Sequence, residues 1–189
     1  MKIGKKKGGF SLIELMVVIV IMGILAAVAV PKLFGHMAKA KASELYNSAG
    51  AYISMQDAFN TETPDRLGSW EKIGYKMQSS TTFKYLERGT EGGKENAGSE
   101  PLSSGISGAW QAFSKGKLNN CEAGSTWQID IVKGNADDDD ENKEEQNSQE
   151  YRLVYKVKVT GGAAGTCLML TPNFGALSTL NRIDAYSES

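Results

Sequence analysis

From Phe10 to Val30 the chain reads FSLIELMVVIVIMGILAAVAV, 21 residues that carry a single charge, Glu14. As a helix rising about 1.5 Å per residue, such a run is ~31 Å long, the thickness of a bilayer's hydrocarbon core. Its β-branched residues suit an isolated helix in water poorly, but in lipid every backbone group must be satisfied within the segment, and that demand dominates. Lys2, Lys5, Lys6 and Lys7 precede the run without an acid among them. That charge bias keeps the N-terminal flank in the cytoplasm and sends the polar body across the membrane. Three plain readings compete: a cleaved secretory signal, a simple anchor and a buried core helix. The core helix fits worst, because so small a domain rarely surrounds about 20 apolar residues on all sides. Ala27-Val28-Ala29 has the small-x-small form of a signal cleavage site. Val30 and Pro31 flank it badly, however, and the run exceeds the usual apolar region of a signal. Glu14 serves none of the three. A carboxylate at mid-membrane costs about 2.5–3.5 kcal/mol, less near an end, so an acid here implies a task and a partner.

The 189 residues are 41% hydrophobic and 23% charged, enough for a packed core and too apolar for wholesale disorder. Basic and acidic groups number 21 and 22, which excludes a nucleic-acid binder working through global charge. Without the four leader lysines the balance is 17 against 22, so the body is mildly acidic. One histidine, His36, and two cysteines, Cys121 and Cys167, exclude a Cys/His zinc cluster, an iron–sulfur centre and a multi-histidine metal site. His36 has no companion acid or thiol nearby and reads as a solvated helix residue.

Gly8-Gly9-Phe10-Ser11-Leu12-Ile13-Glu14-Leu15, behind a basic leader and ahead of the apolar run, resembles the class III signal of the type IV pilin superfamily. That superfamily comprises pilus subunits and the pseudopilins of type II secretion. Gly23 and Pro31 also stand where its members carry such residues, and the resemblance is clear from about Gly8 to Tyr52. It implies that residues 1–9 are a leader, cut between Gly9 and Phe10 by a prepilin peptidase that then N-methylates Phe10. The chain is thus a substrate of that enzyme. The apolar run stays on the mature subunit as its grip on neighbouring copies. Glu14 then gains a partner in the cationic amine of Phe10, its own or an adjacent subunit's. Removing one member of a buried pair typically costs about 3–5 kcal/mol, so the pair selects axial register more than it adds affinity. Gly23 and Pro31 weaken the helix through glycine's entropy and proline's missing donor. They read either as a simple kink or as the ends of a stretch that unwinds during assembly.

Beyond Pro31, Ala38, Ala42, Leu45, Ala49 and Tyr52 recur at spacings of four and three, with Phe59 seven further on. This is the apolar stripe of an amphipathic helix, giving one long helix over 10–59, its 10–30 half membrane-spanning. Asn60 to Asp65 carries stop and turn residues. Residues 60–120 read as an αβ connecting region, with Thr81–Leu86 as a strand and Gly89–Gly108 as a loop. Trp70 and Trp110 pin that region to the domain. Trp127–Ile131 alternates, and Tyr151–Val159 puts Tyr151, Leu153, Tyr155, Val157 and Val159 on one face. Gly161-Gly162 turns the chain toward a third strand at Cys167–Leu170, and the tail after Pro172 adds a short edge element. The expected fold is α+β: a long N-terminal helix packed on a small antiparallel sheet within 121–189, the pilin-like order.

The superfamily's loop-closing disulfide implies a bond between Cys121 and Cys167. At a separation of 46 residues it would restrain the unfolded chain by ~4 kcal/mol in the entropy account. Two buried free thiols are the alternative. The run Asp137 to Glu145 reads first as a solvated acidic loop. Asp137, Asp139 and Glu141 are its calcium candidates, although the EF-hand order is absent.

The resemblance implies a homo-oligomeric helical filament without cofactor or nucleic acid. Its other partners are the inner membrane before assembly, a prepilin peptidase/N-methyltransferase and a pilus assembly platform. The head would be periplasmic first and extracellular in the finished pilus. Two uses share this chemistry, a surface pilus and a periplasmic pseudopilus; the disulfide and the 180-residue mature length favour the pilus. A secreted enzyme is the reading from another class. No G-x-S-x-G elbow, no phosphate-binding G-x-x-x-x-G-K-[ST] loop and no second histidine support it.

Overall fold

A computed structural model describes residues 8–91, 98–102, 105–135, 151–161 and 166–178. Helix α1 spans Leu12–Glu62, slightly later at both ends than the sequence spacing suggests. The chain divides into two compact units, Met1–Met37 and Ala38–Ser189, and α1 belongs to both. In the first unit α1 is helical throughout and its apolar side chains are exposed.

In the second unit, α1 buries Ala38, Ala42, Leu45, Ala49 and Tyr52, the stripe legible in the sequence, together with Ser48 and Gln56. Small residues in this stripe let the helix backbone approach the sheet. The sheet has five antiparallel strands in the order β3-β2-β5-β6-β7. They are β2 Phe83–Glu87, β3 Thr90–Glu91, β5 Ile106–Ser114, β6 Thr126–Asn135 and β7 Tyr151–Thr160. A separate two-stranded ribbon joins β1, Arg66–Gly68, to β4, Ser99–Pro101. The β6–β7 pair keeps continuous register from Thr126↔Thr160 to Asn135↔Tyr151. Leu153, Tyr155, Val157 and Val159 are buried, as their alternation requires.

Four expectations are corrected. The sheet is not confined to 121–189, because residues 60–120 supply β2, β3 and β5. Within the expected loop Gly89–Gly108 lie β3, β4 and the start of β5. The glycine that suggests a loop is what shapes the strand. Gly108, at φ 65°, sits where the β5–β6 register shifts between Ile106 and Trp110, and the Asp130 carboxylate accepts its N–H at 2.7 Å. Finally, Cys167–Leu170 is not a strand but lies in helix α2, Thr166–Leu170. Cys167 and Leu170 are buried three residues apart while Met169 is 74% exposed, a helical pattern that a four-residue apolar run does not reveal by itself. Where a short edge element is expected after Pro172, the described residues form a helical turn, α3 Pro172–Gly175.

Trp70, Trp110 and Trp127 are wholly buried and each indole N–H has a partner. Trp70 Nε1 donates to the Ala109 carbonyl at 2.9 Å and Trp127 Nε1 to Thr171 Oγ1 at 2.8 Å. Trp110 Nε1 donates at 3.0 Å to the Tyr75 hydroxyl, which donates to the Ser48 carbonyl of α1 at 2.9 Å. Two carboxylates of α1 complete the clamp. Glu44 accepts the Tyr85 hydroxyl at 2.9 Å, and Asp57 accepts the Tyr155 hydroxyl at 2.6 Å.

Candidate functional site

The candidate site is the start of α1 and the apolar turns that follow. Gly8, Gly9 and Phe10 precede the helix, exposed and outside regular structure, and nothing lies within 4 Å of a Cβ built on either glycine. Phe10 is 92% exposed. The expected cleavage point is therefore open, non-helical backbone, the state a peptidase needs in order to grip both sides of a bond.

Ser11 caps the helix. Its Oγ accepts the Ile13 N–H at 3.2 Å, and its backbone N–H donates to Glu14 Oε2 at 2.8 Å. This is a variant of the capping box, with Ser11 Oγ taking the second rather than the third helical N–H, and it satisfies two donors at the helix start. It gives Glu14 a partner that charge reasoning alone misses. The carboxylate in the free chain is held against the backbone of the residue next to Phe10. The signal was readable: Ser-x-x-Glu ahead of an apolar run is a helix-start pattern.

From Leu12 to Met37 the apolar side chains are exposed, among them Leu15, Ile19, Met22, Leu25 and Phe34. This is the one helix in the described chain long and apolar enough to cross a membrane. Gly23 and Pro31 lie inside unbroken α1, so the free chain is helical across both weak points. No bulky neighbour occupies the space at Gly23. An apolar surface of this extent is unstable in water and must be covered by lipid or protein.

Cys121 and Cys167 form a disulfide with Cα atoms 4.9 Å apart, and both cysteines are buried. The free-thiol alternative is thereby excluded. Gly161, φ 109°, packs against Ser125 so closely that a Cβ would stand 2.4 Å from its Oγ. Asp137, Asp139 and Glu141 lie outside the described residues. Among the described residues no three His, Cys, Asp or Glu side chains gather as a metal would need. His36 is exposed on α1.

One buried acid has no counterpart in the sequence reading. Glu87, at the end of β2, is 3% exposed; its Oε1 accepts the Trp70 N–H at 2.8 Å, while Oε2 has no partner among the described residues. Burial pushes its carboxyl up to about 7, with the Trp70 hydrogen bond and Arg88 opposing and Glu100 reinforcing. Arg88 itself forms a two-pronged pair with Glu100, which holds the Glu100 carboxyl below its ordinary range.

The fold and this site define a class: a globular head whose bare N-terminal helix demands neighbours. Comparison with known proteins is specific on this point. The prokaryotic N-terminal methylation motif matches residues 4–30. The chain is 37% identical over 78 residues to the type IV major pilin protein PilA of Myxococcus xanthus, covering 41% of this chain and 35% of that protein. It is 41% identical over 83 residues to the type IV major pilin protein PilE of Neisseria gonorrhoeae, covering 42% and 47%. With the type II secretion system core protein G of Pseudomonas aeruginosa, identity is 31% over 112 residues, covering 47% of this chain and 79% of that one. The chain belongs to the type IV pilin superfamily, which includes these pseudopilin-type secretion proteins. It spans about a third of the Myxococcus pilin's length. No solved structure matches.

Proposed function

We propose that the chain is a structural subunit of a type IV pilus-like surface filament. In this reading the leader is cut between Gly9 and Phe10, and Phe10 is N-methylated. The subunit then waits in the inner membrane with its head outside the cytoplasm until an assembly platform adds it to the fibre. The observation that carries the proposal is the uncovered apolar surface of α1 from Leu12 to Met37, behind a matched methylation motif. Lipid covers that surface before assembly, and the same surface of other copies covers it afterwards. Exchanging one apolar environment for another is nearly neutral, so the polar group at the helix start decides alignment. Glu14 supplies it, by releasing the Ser11 N–H and accepting the Phe10 amine of a neighbour. The role is structural, and the chemistry of maturation belongs to the peptidase.

The experiment is electron microscopy of material sheared from cells producing the chain. Long fibres that contain the subunit support the pilus. A second reading, a short periplasmic pseudopilus, is favoured by the 79% coverage of the Pseudomonas secretion protein. It predicts subunits that stay with the cell envelope and leave no sheared fibres.

A further inference from the structure

The membrane reading leaves the segment after Pro31 unexplained. Lys32 is the first charge after Glu14, and His36, Lys39 and Lys41 follow before the next acid, Glu44. All four basic side chains are exposed. None takes part in an ion pair or side-chain hydrogen bond among the described residues. Lys32 and His36, four apart, share one helix face. Leu33, Phe34 and Met37 are exposed on the rest of the same two turns, Phe34 at 64%. Apolar and basic groups thus share the same two helix turns, directly continuous with the 21-residue span. Such a mixture is unsuited to hydrocarbon or to bulk water and suited to the headgroup layer between them.

We infer that Lys32 and His36, set among the exposed Leu33, Phe34 and Met37, form a collar that binds the anionic phosphate headgroups of the leaflet where the span ends. Side chains on a helix lean toward its N-terminus, so Lys32 and His36 reach back toward the bilayer. The charge pattern also sets the collar apart from an orientation signal. The leader lysines hold the opposite flank only until residues 1–9 are removed. After cleavage Lys32 is the first lysine of the chain, directly beyond the span, and the collar grips the mature subunit in lipid until the fibre takes it. Negative lipid surfaces attract such basic flanks over a Debye length of roughly 8–10 Å, so the contact is sensitive to salt.

The test rests on the membrane reading and separates its failure from the collar's. Full-length chain is reconstituted in equimolar phosphatidylcholine and phosphatidylglycerol, one lipid at a time brominated near the headgroup end of its acyl chains. Because both native cysteines are bonded, a bimane can be placed on Gly35→Cys, where space is open, or at mid-span on Leu25→Cys. At low salt the Gly35→Cys probe should be quenched at least about twofold more by brominated phosphatidylglycerol than by brominated phosphatidylcholine. High salt, or Lys32→Gln with His36→Gln, should abolish that preference. The Leu25→Cys probe should be quenched by either lipid in every case. Equal quenching at Gly35→Cys at the outset, or a preference that survives loss of Lys32 and His36, overturns the collar while leaving the span intact. Absence of quenching at Leu25→Cys overturns the membrane reading and the collar with it.

Discussion

The two halves of α1 are built from the same backbone and solve opposite problems. From Ala38 onward the helix offers the head a narrow stripe of alanines with Leu45 and Tyr52, all buried by partners within the chain. From Leu12 to Val30 it is apolar on every side but for Glu14 near its start, and no other described residue covers it. A helix meant for its own domain needs one apolar face; a helix apolar all round is meant for lipid or for other helices. The polar groups differ in the same way. Glu44 and Asp57 on the inner half bond named tyrosines of the sheet, which fixes the helix on the head. Glu14 on the outer half accepts the Ser11 N–H of its own cap and, among the described residues, bonds no side chain of the head.

The largest effect should fall on assembly and spare the head. Glu14→Gln keeps the size of the side chain and removes its charge, leaving a neighbour's amine buried without its partner. At about 3–5 kcal/mol for such a loss, fibre yield in sheared material should drop by at least about tenfold. Head stability and leader cleavage should be unchanged. Normal fibre yield would remove Glu14 from the register role.

The reverse pattern is expected of the disulfide. Cys121→Ser with Cys167→Ser should lower head stability by about 4 kcal/mol in denaturant titration, within the usual 2–5 kcal/mol range, and reduce fibres only by way of folding. Tyr155→Phe removes a hydrogen bond to the Asp57 carboxylate and should cost about 2 kcal/mol in the same titration.

Glu87 gives the head a pH dependence opposite to that of most carboxylates. Its folded pKa, about 7, lies above the ordinary value of 4.5. Between those values the folded chain holds a proton that the unfolded chain has released, so stability falls as pH rises through that window and levels off above it. The expected drop is on the order of 2 kcal/mol, and Glu87→Gln should flatten it while preserving an acceptor for the Trp70 N–H. A slope unchanged by the substitution would assign the effect to another group. The smallest effect is expected of Ser11→Ala, which loses a cap worth about 1 kcal/mol. Amide exchange should then show fraying at Leu12 and Ile13 with the head unaffected.

What could be seen in the sequence was local. The apolar run, the stripe from Ala38 to Tyr52 and the alternation along β7 are periodic patterns set by one segment's own geometry. What stayed hidden depends on partners distant in the chain. β5 was obscured because Gly105 and Gly108 resemble loop residues until Asp130 is placed beside the bulge. α2 was misread because Cys167 to Leu170 is too short to show a period. The burial of Glu87 follows from where Trp70 lies, and no neighbouring residue announces it. Ser11 is a different case, since Ser-x-x-Glu ahead of an apolar run is a helix-start pattern that the sequence alone displays.

The central claim is that the bare half of α1 remains on the working subunit and is covered by its copies. Intact mass of the subunit from purified surface fibres addresses it most directly. The account predicts a chain that begins at Phe10 with one added methyl group and an intact Cys121–Cys167 bond. A mass corresponding to a chain that begins near Val30, without the apolar run, would contradict it.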